Sequence, residues 1–324
     1  MVVRIGIIGC GGMNSAHMDS LSNIPEAKMA AFADVVEERA RNCAQKHSGN
    51  AYKDYHEMIG KEELDACYIA IPPFAHTDQE LLCSKKKIAF FVEKPVALTI
   101  KKAKEVQKSV ARSGIVTQVG YVMRFYDGLQ QIRKVLKERG GKIGLIEMVR
   151  LGGIAGDENF WWRRKELSGG QLVEQSTHQV DMARWMVGDV STVYAKFGRQ
   201  LNKGLPNFTI EDVSTAVMKF KNGAIGVLTS SNAVQEAGGL GRFTILAKNL
   251  EIISNNGYRL VEGRDVTEYK DTVDAVLEED KHFVSRVANG EKTDTPYIEG
   301  LRTLEVTLAA VESARTGREV KLPL

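Results

Sequence analysis

The chain opens on the segment Val2–Asn14, VVRIGIIGCGGMN, in which an apolar run meets a cluster of glycines. Val2–Ile8 is short, apolar and rich in β-branched residues, which is typical of a buried strand. Residues 13–23 have a helical pattern, so the glycines lie where a strand turns sharply into a helix. There the main chain can approach a pyrophosphate, and the helix N-terminus supplies N–H donors. The segment predicts a dinucleotide-binding loop that includes Gly9, Gly11, Gly12, Met13 and Asn14.

The loop is a variant of the G-x-G-x-x-G pattern, because Asn14 stands where the third glycine is expected. Asp34 ends the second predicted strand, where a carboxylate accepts hydrogen bonds from the adenosine ribose hydroxyls and repels a 2′-phosphate. NAD is therefore the favoured cofactor. NADP stays open because Arg39 or Arg41 can reach such a phosphate. The structural alternative is that Asp34 caps a helix beginning near Glu37.

Strand-like and helix-like segments alternate through the first 120 residues. Strict alternation indicates right-handed βαβ units and a parallel sheet covered by helices on both faces. We therefore predict an α/β fold whose N-terminal Rossmann domain spans residues 1–122. After the first strand, its predicted strands are Lys28–Ala33, Asp65–Ile71, Ile88–Val92 and Ile115–Val119.

After about residue 122 the pattern changes to successive strands with few helices between them. Asn222-Gly223 joins two such strands and is typical of a hairpin turn, and Asn255-Asn256-Gly257 repeats the feature. Helices are predicted near 170–187, 271–289 and 297–316. We predict that residues 123–324 form an α+β domain with a large, mainly antiparallel open sheet. Burial of the sheet face that lacks helices favours a homodimer or homotetramer formed through it.

Composition narrows the class of protein. The 324 residues are 43% apolar and 26% charged, which is typical of a globular protein with two domains. A net charge of +3 does not predict a nucleic-acid partner. The four cysteines form no CxxC pair, so we expect a cytoplasmic protein without disulfides or a metal site. No apolar run approaches the about 20 residues that a membrane span requires.

The segment Phe90–Pro95, FFVEKP, places Lys94 at the C-terminal end of a parallel strand, the sheet edge at which Rossmann folds bind ligands. Three further motifs accompany it in a set order: Ile71–His76 (IPPFAH), Gly120–Phe125 (GYVMRF) and a Glu-x-x-x-His helix in the second domain. The ordered set resembles the Gfo/Idh/MocA family of glucose–fructose oxidoreductase, inositol dehydrogenase and related sugar dehydrogenases. The resemblance covers essentially the full length.

The resemblance implies an NAD(P)-dependent oxidoreductase that transfers hydride between the nicotinamide and a secondary alcohol or ketone of a sugar, inositol or amino sugar. It implies that Lys94 hydrogen-bonds the reacting oxygen, where a cation stabilises developing alkoxide charge. Glu93 is placed near the nicotinamide ribose, and the Lys94–Pro95 peptide is expected to be cis. The cofactor groove is expected to include Ile71, Pro72 and His76. For His76, a position at a helix start without cofactor contact is equally open.

The predicted helix near 170–187 carries Glu174, His178 and Asp181 at positions i, i+4 and i+7, on one face. A carboxylate one turn away orients an imidazole and raises its pKa, so His178 can take a hydroxyl proton as hydride leaves. The family usually has Asp where Glu174 stands, which leaves substrate binding open as a different role for Glu174. Two structural interpretations also stay open: Asp181 pairs with Arg184, or the whole stripe is a solvated face.

Substrate contacts are expected from two further segments. Tyr121 and Arg124 follow the last strand of the first domain, and Trp161, Trp162 and Arg163 lie in a loop flanked by glycines. Aromatic faces suit the C–H faces of sugars, although tryptophans that anchor the loop to the core are an equally good interpretation. Because Val122 stands where the family often has Asn, the family average does not name the substrate. His178 and Asp181 complete the predicted substrate-binding set.

Two different functions fit the same residues. A glycosidase that retains NAD oxidises the sugar transiently, eliminates the aglycone and forms no net NADH. A sensor binds dinucleotide or sugar without catalysis and regulates a partner. The presence of both Lys94 and His178 argues against the sensor, because a sensor needs no pair of groups for charge stabilisation and proton transfer.

Overall fold

A computed structural model of the chain describes residues 1–234, 239–255 and 257–324. The chain divides into two compact units. The first contains Met1–Val122 and Asp274–Leu301, and the second contains Met123–Val273 and Arg302–Leu324. Within the described ranges, no helix is both long and apolar enough to cross a membrane.

The first unit is built on a six-stranded sheet in which every pair of neighbours is parallel. The strand order β3-β2-β1-β4-β5-β6 reverses direction between β1 and β4, so ligands are expected beyond the carboxyl ends of these two strands. The predicted Rossmann sheet is confirmed. Its strands are β1 (Val3–Ile8), β2 (Ala27–Ala33), β3 (Asn50–Tyr52), β4 (Ala66–Ile69), β5 (Ala89–Val92) and β6 (Thr117–Val119).

The helices of the first unit include one from late in the chain. Its N-cap is Asp274, whose carboxylate accepts hydrogen bonds from the backbone N–H groups of Val276 and Leu277. Phe283 of this helix is fully buried, with its ring centroid 5.4 Å from that of Tyr68. The helices are α1 (Gly12–Leu21), α2 (Glu37–His47), α3 (Tyr55–Lys61), α4 (Gln79–Lys86), α5 (Ile100–Ser113) and α10 (Ala275–Asn289).

The second unit contains a nine-stranded sheet in the order β14-β13-β12-β11-β7-β10-β9-β8-β15. Among the described strands of this sheet, β7 and β10 form the single parallel pair, so the predicted mainly antiparallel sheet is confirmed. The strands are β7 (Ile143–Leu151), β8 (Val190–Gly198), β9 (Val213–Phe220), β10 (Ile225–Ser231), β11 (Leu240–Ala247), β12 (Glu251–Ser254), β13 (Tyr258–Glu262), β14 (Asp265–Tyr269) and β15 (Val320–Lys321).

Side chains alternate across this sheet. In β9, Ala216 and Met218 are buried while Val217 between them is 41% exposed. The buried face packs in one apolar cluster with Val180 and Ala183. The remaining helices are α6 (Asp127–Arg139), α7 (Lys165–Ser168), α8 (Gln171–Glu174), α9 (Thr177–Val187) and α11 (Tyr297–Thr316). The sequence analysis did not predict β3 and α3 in the first unit, or α6, α7, β13, β14 and β15 in the second.

The turn predictions have different outcomes. Asn222-Gly223 forms the hairpin between β9 and β10, and Gly223 adopts a φ of +91° that favours glycine. For the second predicted turn, β12 and β13 pair antiparallel with Ser254 opposite Tyr258. Its central residue, Asn256, lies outside the described residues.

The prediction of a single helix near residues 170–187 is wrong. This segment forms two helices, α8 and α9, with Gln175 and Ser176 between them. The Ser176 N–H donates to the carbonyl of Gln171, five residues back, and the Gln171 amide donates to the Ser176 hydroxyl at 3.1 Å. Polar side chains that bond locally in this way compete with regular helix. Glu174 and His178 therefore do not share one face of a continuous helix.

Candidate active site

The glycine loop has the shape that a phosphate group needs. Gly9 has a φ of +89°, and a Cβ there would lie 2.6 Å from the Ile71 side chain and 2.7 Å from the Ala70 carbonyl oxygen. A Cβ on Gly11 or Gly12 would meet nothing within 4 Å. Gly11 is the N-cap of α1 and supplies no side chain to its first N–H groups. The loop therefore combines space with available donors, which fits a pyrophosphate.

Asn14 stabilises this turn from the inside. Its side chain is fully buried, and its amide donates to the carbonyl oxygens of Ile8, at 3.0 Å, and Gly9. Met13 is 54% exposed at the surface of the loop. The residue in the third-glycine position thus holds the strand–helix turn closed, and contact of Asn14 or Met13 with the cofactor stays a prediction.

Asp34 links the loop to the start of the next helix. One carboxylate oxygen accepts the Cys10 N–H at 2.7 Å, and the second oxygen accepts the Val36 N–H at 2.8 Å. The N-cap of α2 is Val36, which has no side-chain cap, so Asp34 braces the turn that precedes the helix. A carboxylate has about four acceptor sites, so ribose hydroxyls can still bind. The loop and Asp34 together fit a dinucleotide.

Replacing Asp34 with asparagine is expected to lower the preference for NADH over NADPH by at least about tenfold, or about 1.4 kcal/mol. The change removes the charge that repels a 2′-phosphate but keeps an acceptor for the Cys10 N–H. The ratio of the two dissociation constants, measured by fluorescence titration, checks this without a substrate. Asp54→Asn is the matched control, because Asp54 also accepts a backbone N–H next to a helix. An unchanged ratio in Asp34→Asn would contradict the assignment.

Glu93 and Lys94 follow β5 at the same sheet edge as the glycine loop. Glu93 is buried and Lys94 is half-buried. The Lys94 N–H donates to Glu93 Oε2 at 3.1 Å, and the Lys94–Pro95 peptide is cis, as the resemblance implied. A Cβ on Gly120 would lie 2.6 Å from Glu93 Oε1. Glycine at the end of β6 therefore leaves the space that the Glu93 carboxylate occupies.

The turn after β4 holds Ile71, Pro72 and His76. Ile71 and Pro72 are half-buried, and Ile71 packs against Gly9. The His76 ring hydrogen-bonds Glu80 of α4, and both side chains are buried. Burial by itself raises the pKa of Glu80, but the neighbouring His76 outweighs it and the pKa is lowered. His76 therefore has a partner within its own unit, and its contact with a cofactor stays a prediction.

In the second unit, Glu174 is buried at the end of α8, and His178 is half-buried in the first turn of α9. Arg150, near the end of β7, is close enough to Glu174 for their charges to interact. Burial lowers the pKa of Arg150, and the Glu174 carboxylate acts in the opposite direction. The sequence analysis missed Arg150, although a cation near the end of an apolar strand is a detectable signal.

Arg124 and Asp181 bind each other. The guanidinium donates to both carboxylate oxygens, at 2.8 and 2.6 Å, and both side chains are buried. Arg184, the partner of Asp181 suggested by spacing, donates to Asp189 and to Thr303. The structure thus joins two of the predicted substrate-binding residues in a buried ion pair. Tyr121, a third member of the set, is 1% exposed.

The aromatic loop is held by internal contacts. Trp161 and Trp162 form a 3₁₀ turn with Arg163, and the two indole rings lie 5.7 and 6.0 Å from the ring of Phe160. Arg163 donates to the carbonyl of Gly156 at 2.7 Å. All three residues of the turn are half-buried. The packing accounts for the loop's conformation and leaves part of each indole accessible.

A cavity of about 480 Å³ lies beyond the carboxyl ends of β7 and β10, lined in part by Gly153, Ile154 and Val234. Asn202 and Asn232 also line it, although they are only 5% and 1% exposed. Asn202 Nδ2 and Asn232 Oδ1 have no hydrogen-bond partner within the described part of the chain. Both atoms are buried within the wall, and the volume of the cavity suits a small ligand.

Asp212 holds the loop that carries Asn202. Its buried carboxylate accepts the backbone N–H groups of Gln200, Leu201 and Asn202 at 2.7–2.8 Å. Burial alone raises the pKa of Asp212, but the three donors outweigh it, so the pKa lies below its ordinary value. The charged carboxylate therefore stabilises this wall of the cavity.

Asp212→Asn is expected to lower the free energy of unfolding at pH 7 by about 2 kcal/mol, because an amide nitrogen then faces backbone N–H groups. A lowered pKa means that the wild-type advantage is present above about pH 3.9 and is lost as pH falls through the folded-state pKa. Urea denaturation of both proteins at pH 7 and in acid measures this difference. A difference that is the same at both pH values would contradict the charge-based explanation.

Comparison with known proteins agrees with this architecture. Residues 3–121 match the family described as "Oxidoreductase family, NAD-binding Rossmann fold", and residues 129–257 match the "GFO/IDH/MocA C-terminal domain". The chain belongs to the Gfo/Idh/MocA family. The predicted family and its NAD-dependent oxidoreductase activity are confirmed at the level of the family.

Relatives in the family match over nearly the whole chain. Myo-inositol 2-dehydrogenase of Thermotoga maritima is 27% identical over 99% of this chain and 98% of its own. The scyllo-inositol 2-dehydrogenase (NAD(+)) of Bacillus subtilis is 25% identical over 99% and 96%. Levoglucosan dehydrogenase in complex with NADH and levoglucosan, 20% identical, superposes with a TM-score of 0.92 over 100% of both chains. At that identity, the superposition shows the fold.

Proposed function

We propose that the protein interconverts a secondary alcohol of a sugar, cyclitol or amino sugar and the corresponding ketone, with NAD as the favoured cofactor. The observation that carries the proposal is Lys94, which follows β5 at the sheet edge where the glycine loop and Asp34 follow β1 and β2. A half-buried cation beside a dinucleotide fold suits a reaction in which charge develops on a substrate oxygen.

When bound, the family's dinucleotide would supply the hydride acceptor for oxidation and the hydride donor for reduction. In this chain, the backbone N–H groups that begin α1 would hold its pyrophosphate, and Asp34 would accept its ribose hydroxyls. Lys94 would hold the substrate oxygen and stabilise alkoxide character as the C–H bond breaks. His178 would take the hydroxyl proton during oxidation and return it during reduction. Glu174, whose charge interacts with that of Arg150, would position a catalytic group or bind the substrate.

The substrate class is inferred from the relatives. The names of two similar proteins, myo-inositol 2-dehydrogenase and levoglucosan dehydrogenase, each mention a compound with a hydroxylated ring.

The test is a panel of sugars, amino sugars and cyclitols with NAD⁺ and with NADP⁺, followed by NADH or NADPH formation. Net NADH formation on a polyol supports the proposal. Turnover of a glycoside without net NADH would favour the NAD-retaining glycosidase. Nucleotide binding without turnover of any compound would contradict an enzyme and favour the sensor. A cytoplasmic location stays a prediction from the sequence.

We also propose that the outer face of the nine-stranded sheet forms a homodimer or homotetramer interface. Tyr194, Val217 and Leu246 are 38–41% exposed on strands that pair within this sheet, and Tyr194 lies directly opposite Val217. Adjacent apolar groups on an exposed face favour association. Light scattering is expected to give a multiple of the 35.8 kDa chain mass, and Val217→Asp is expected to reduce it. A monomeric wild-type protein would contradict this proposal.

A further inference from the structure

A buried ion cluster in the first unit joins α1, α10 and the turn after β5. His17 of α1 is 1% exposed, and its Nδ1 lies 2.9 Å from Asp280 Oδ1 of α10. Its Nε2 lies 3.2 Å from Glu93 Oε1. Ionised carboxylates only accept hydrogen bonds, so both ring nitrogens must carry a hydrogen. The geometry therefore describes an imidazolium held between two carboxylates.

The surroundings of His17 restrict it to this position. The Tyr68 hydroxyl donates to Asp280 Oδ1 at 3.1 Å, and the Phe91 ring meets the imidazole with centroids 4.7 Å apart. Burial alone lowers the pKa of His17, but Asp280 and then Glu93 outweigh it, so the pKa is well above its ordinary value. The charged ring is therefore a fixed link between the two carboxylates.

Glu93 extends this link to the predicted catalytic lysine. Its Oε2 accepts the Lys94 N–H at 3.1 Å, while its Oε1 faces His17. On its third side, Gly120 lies so close that a Cβ would be 2.6 Å from Oε1. The Glu93 carboxylate is thus confined between an imidazolium, a backbone donor and a glycine. Asp280, His17, Glu93 and the Lys94 main chain form one continuous series of contacts.

We propose that His17 is a positioning residue, which acts through Glu93 to hold the main chain at Lys94 and so directs the lysine amine. The inference deepens the proposed function and rests on it for the catalytic role of Lys94. It also assigns a purpose to α10, because Asp280 anchors the imidazolium from a segment distant in the chain. The effect of His17 on the position of Lys94 can be tested without a substrate.

His17→Gln tests the proposal, because a neutral amide cannot donate to both carboxylates with the geometry of the imidazolium. We expect kcat to fall about tenfold or more, with the dissociation constant for NADH changed by less than about threefold. A second readout uses no nucleotide or sugar. The rate at which an amine-specific reagent labels Lys94, measured by peptide mass spectrometry, is expected to change at least about threefold, because amine reactivity depends on its surroundings.

A double-mutant cycle with Glu93→Gln separates action through Glu93 from an independent effect. If His17 acts through Glu93, the double variant has the kcat and labelling rate of Glu93→Gln alone. Independent effects would multiply, and this result would overturn the proposal. His56→Gln is the matched control, since His56 also lies between two aspartates, at 2.8 and 3.2 Å, but is half exposed. It is expected to leave both readouts unchanged.

A folded His17→Gln protein with wild-type kcat and wild-type Lys94 labelling would overturn the proposal, as would reduced activity with unchanged labelling. If His17→Gln does not fold, Asp280→Asn replaces it, because it keeps the side-chain shape and removes the anchoring charge. The same changes in both readouts are then expected. If His17→Gln alters the labelling of Lys94 but the wild-type protein turns over no polyol, the proposed function alone is refuted. If the wild-type protein turns over a polyol but His17→Gln leaves the labelling unaltered, this inference alone is refuted.

Discussion

Replacing Lys94 with alanine is expected to lower kcat by at least about a hundredfold, equivalent to about 2.7 kcal/mol of transition-state stabilisation. The ammonium group is the cation assigned to the substrate oxygen, and the loss appears as charge develops there. Steady-state kinetics with the best compound from the polyol panel measure the effect. The dissociation constant for NADH is expected to change much less, because the glycine loop and Asp34 are unaltered.

Lys86→Ala is the matched control, because Lys86 is an exposed lysine at the end of α4 in the same unit. Its kcat is expected to equal that of the wild type. Lys94→Arg distinguishes charge from geometry, since it keeps the cation but changes its shape and hydrogen-bonding directions. A Lys94→Ala enzyme with an unchanged rate would remove this lysine from the mechanism.

Asp181→Ala is expected to lower the free energy of unfolding by about 3–5 kcal/mol, because it removes a buried carboxylate that accepts two hydrogen bonds from the buried Arg124 guanidinium. Both bonds of the pair are lost at once, and the second unit contains the whole pair. Urea or guanidinium denaturation, followed by circular dichroism, gives this free energy. The second unit's transition is expected to move, whether or not Asp181 also contacts substrate.

The double variant Arg124→Met/Asp181→Leu is expected to be more stable than Asp181→Ala, because it replaces both members of the buried ion pair with apolar side chains. Glu37→Ala provides the exposed comparison, since it breaks a surface pair with Arg41 and is expected to cost less than about 1 kcal/mol. If Asp181→Ala lost activity at unchanged stability, the residue would be a substrate-binding group rather than a structural partner of Arg124.

Local sequence predicted five of the six strands of the first unit, because their signals lie within single βα turns; it did not predict β3 or α3, and it assigned the segment of α10 to the second domain. The run Val3–Ile8 followed by glycines predicts both the strand and the sharp turn, and the close approach of Gly9 to Ile71 shows why the glycine is needed. Asp34 and Lys94 were identified as site candidates because each follows a predicted strand at the carboxyl edge of the parallel sheet.

The second unit was less predictable at the level of individual side chains. Spacing alone placed Glu174 and His178 on one helix, but Gln171 and Ser176 bond each other and divide it. Spacing also suggested Arg184 as the partner of Asp181, whereas Asp181 pairs with Arg124, far away in the sequence. Periodicity describes which face of an element is buried, not which polar group it meets there.

By itself, the sequence predicted the Rossmann sheet, the mainly antiparallel sheet and the family, all of which are confirmed. Only the tertiary structure decided that His17 meets Asp280, 263 residues later, and that Asn202 and Asn232 line one cavity. The reason is the range of the interactions. Backbone hydrogen bonding and hydrophobic periodicity act over a few residues, whereas buried charges and amides find their partners only after distant segments pack together.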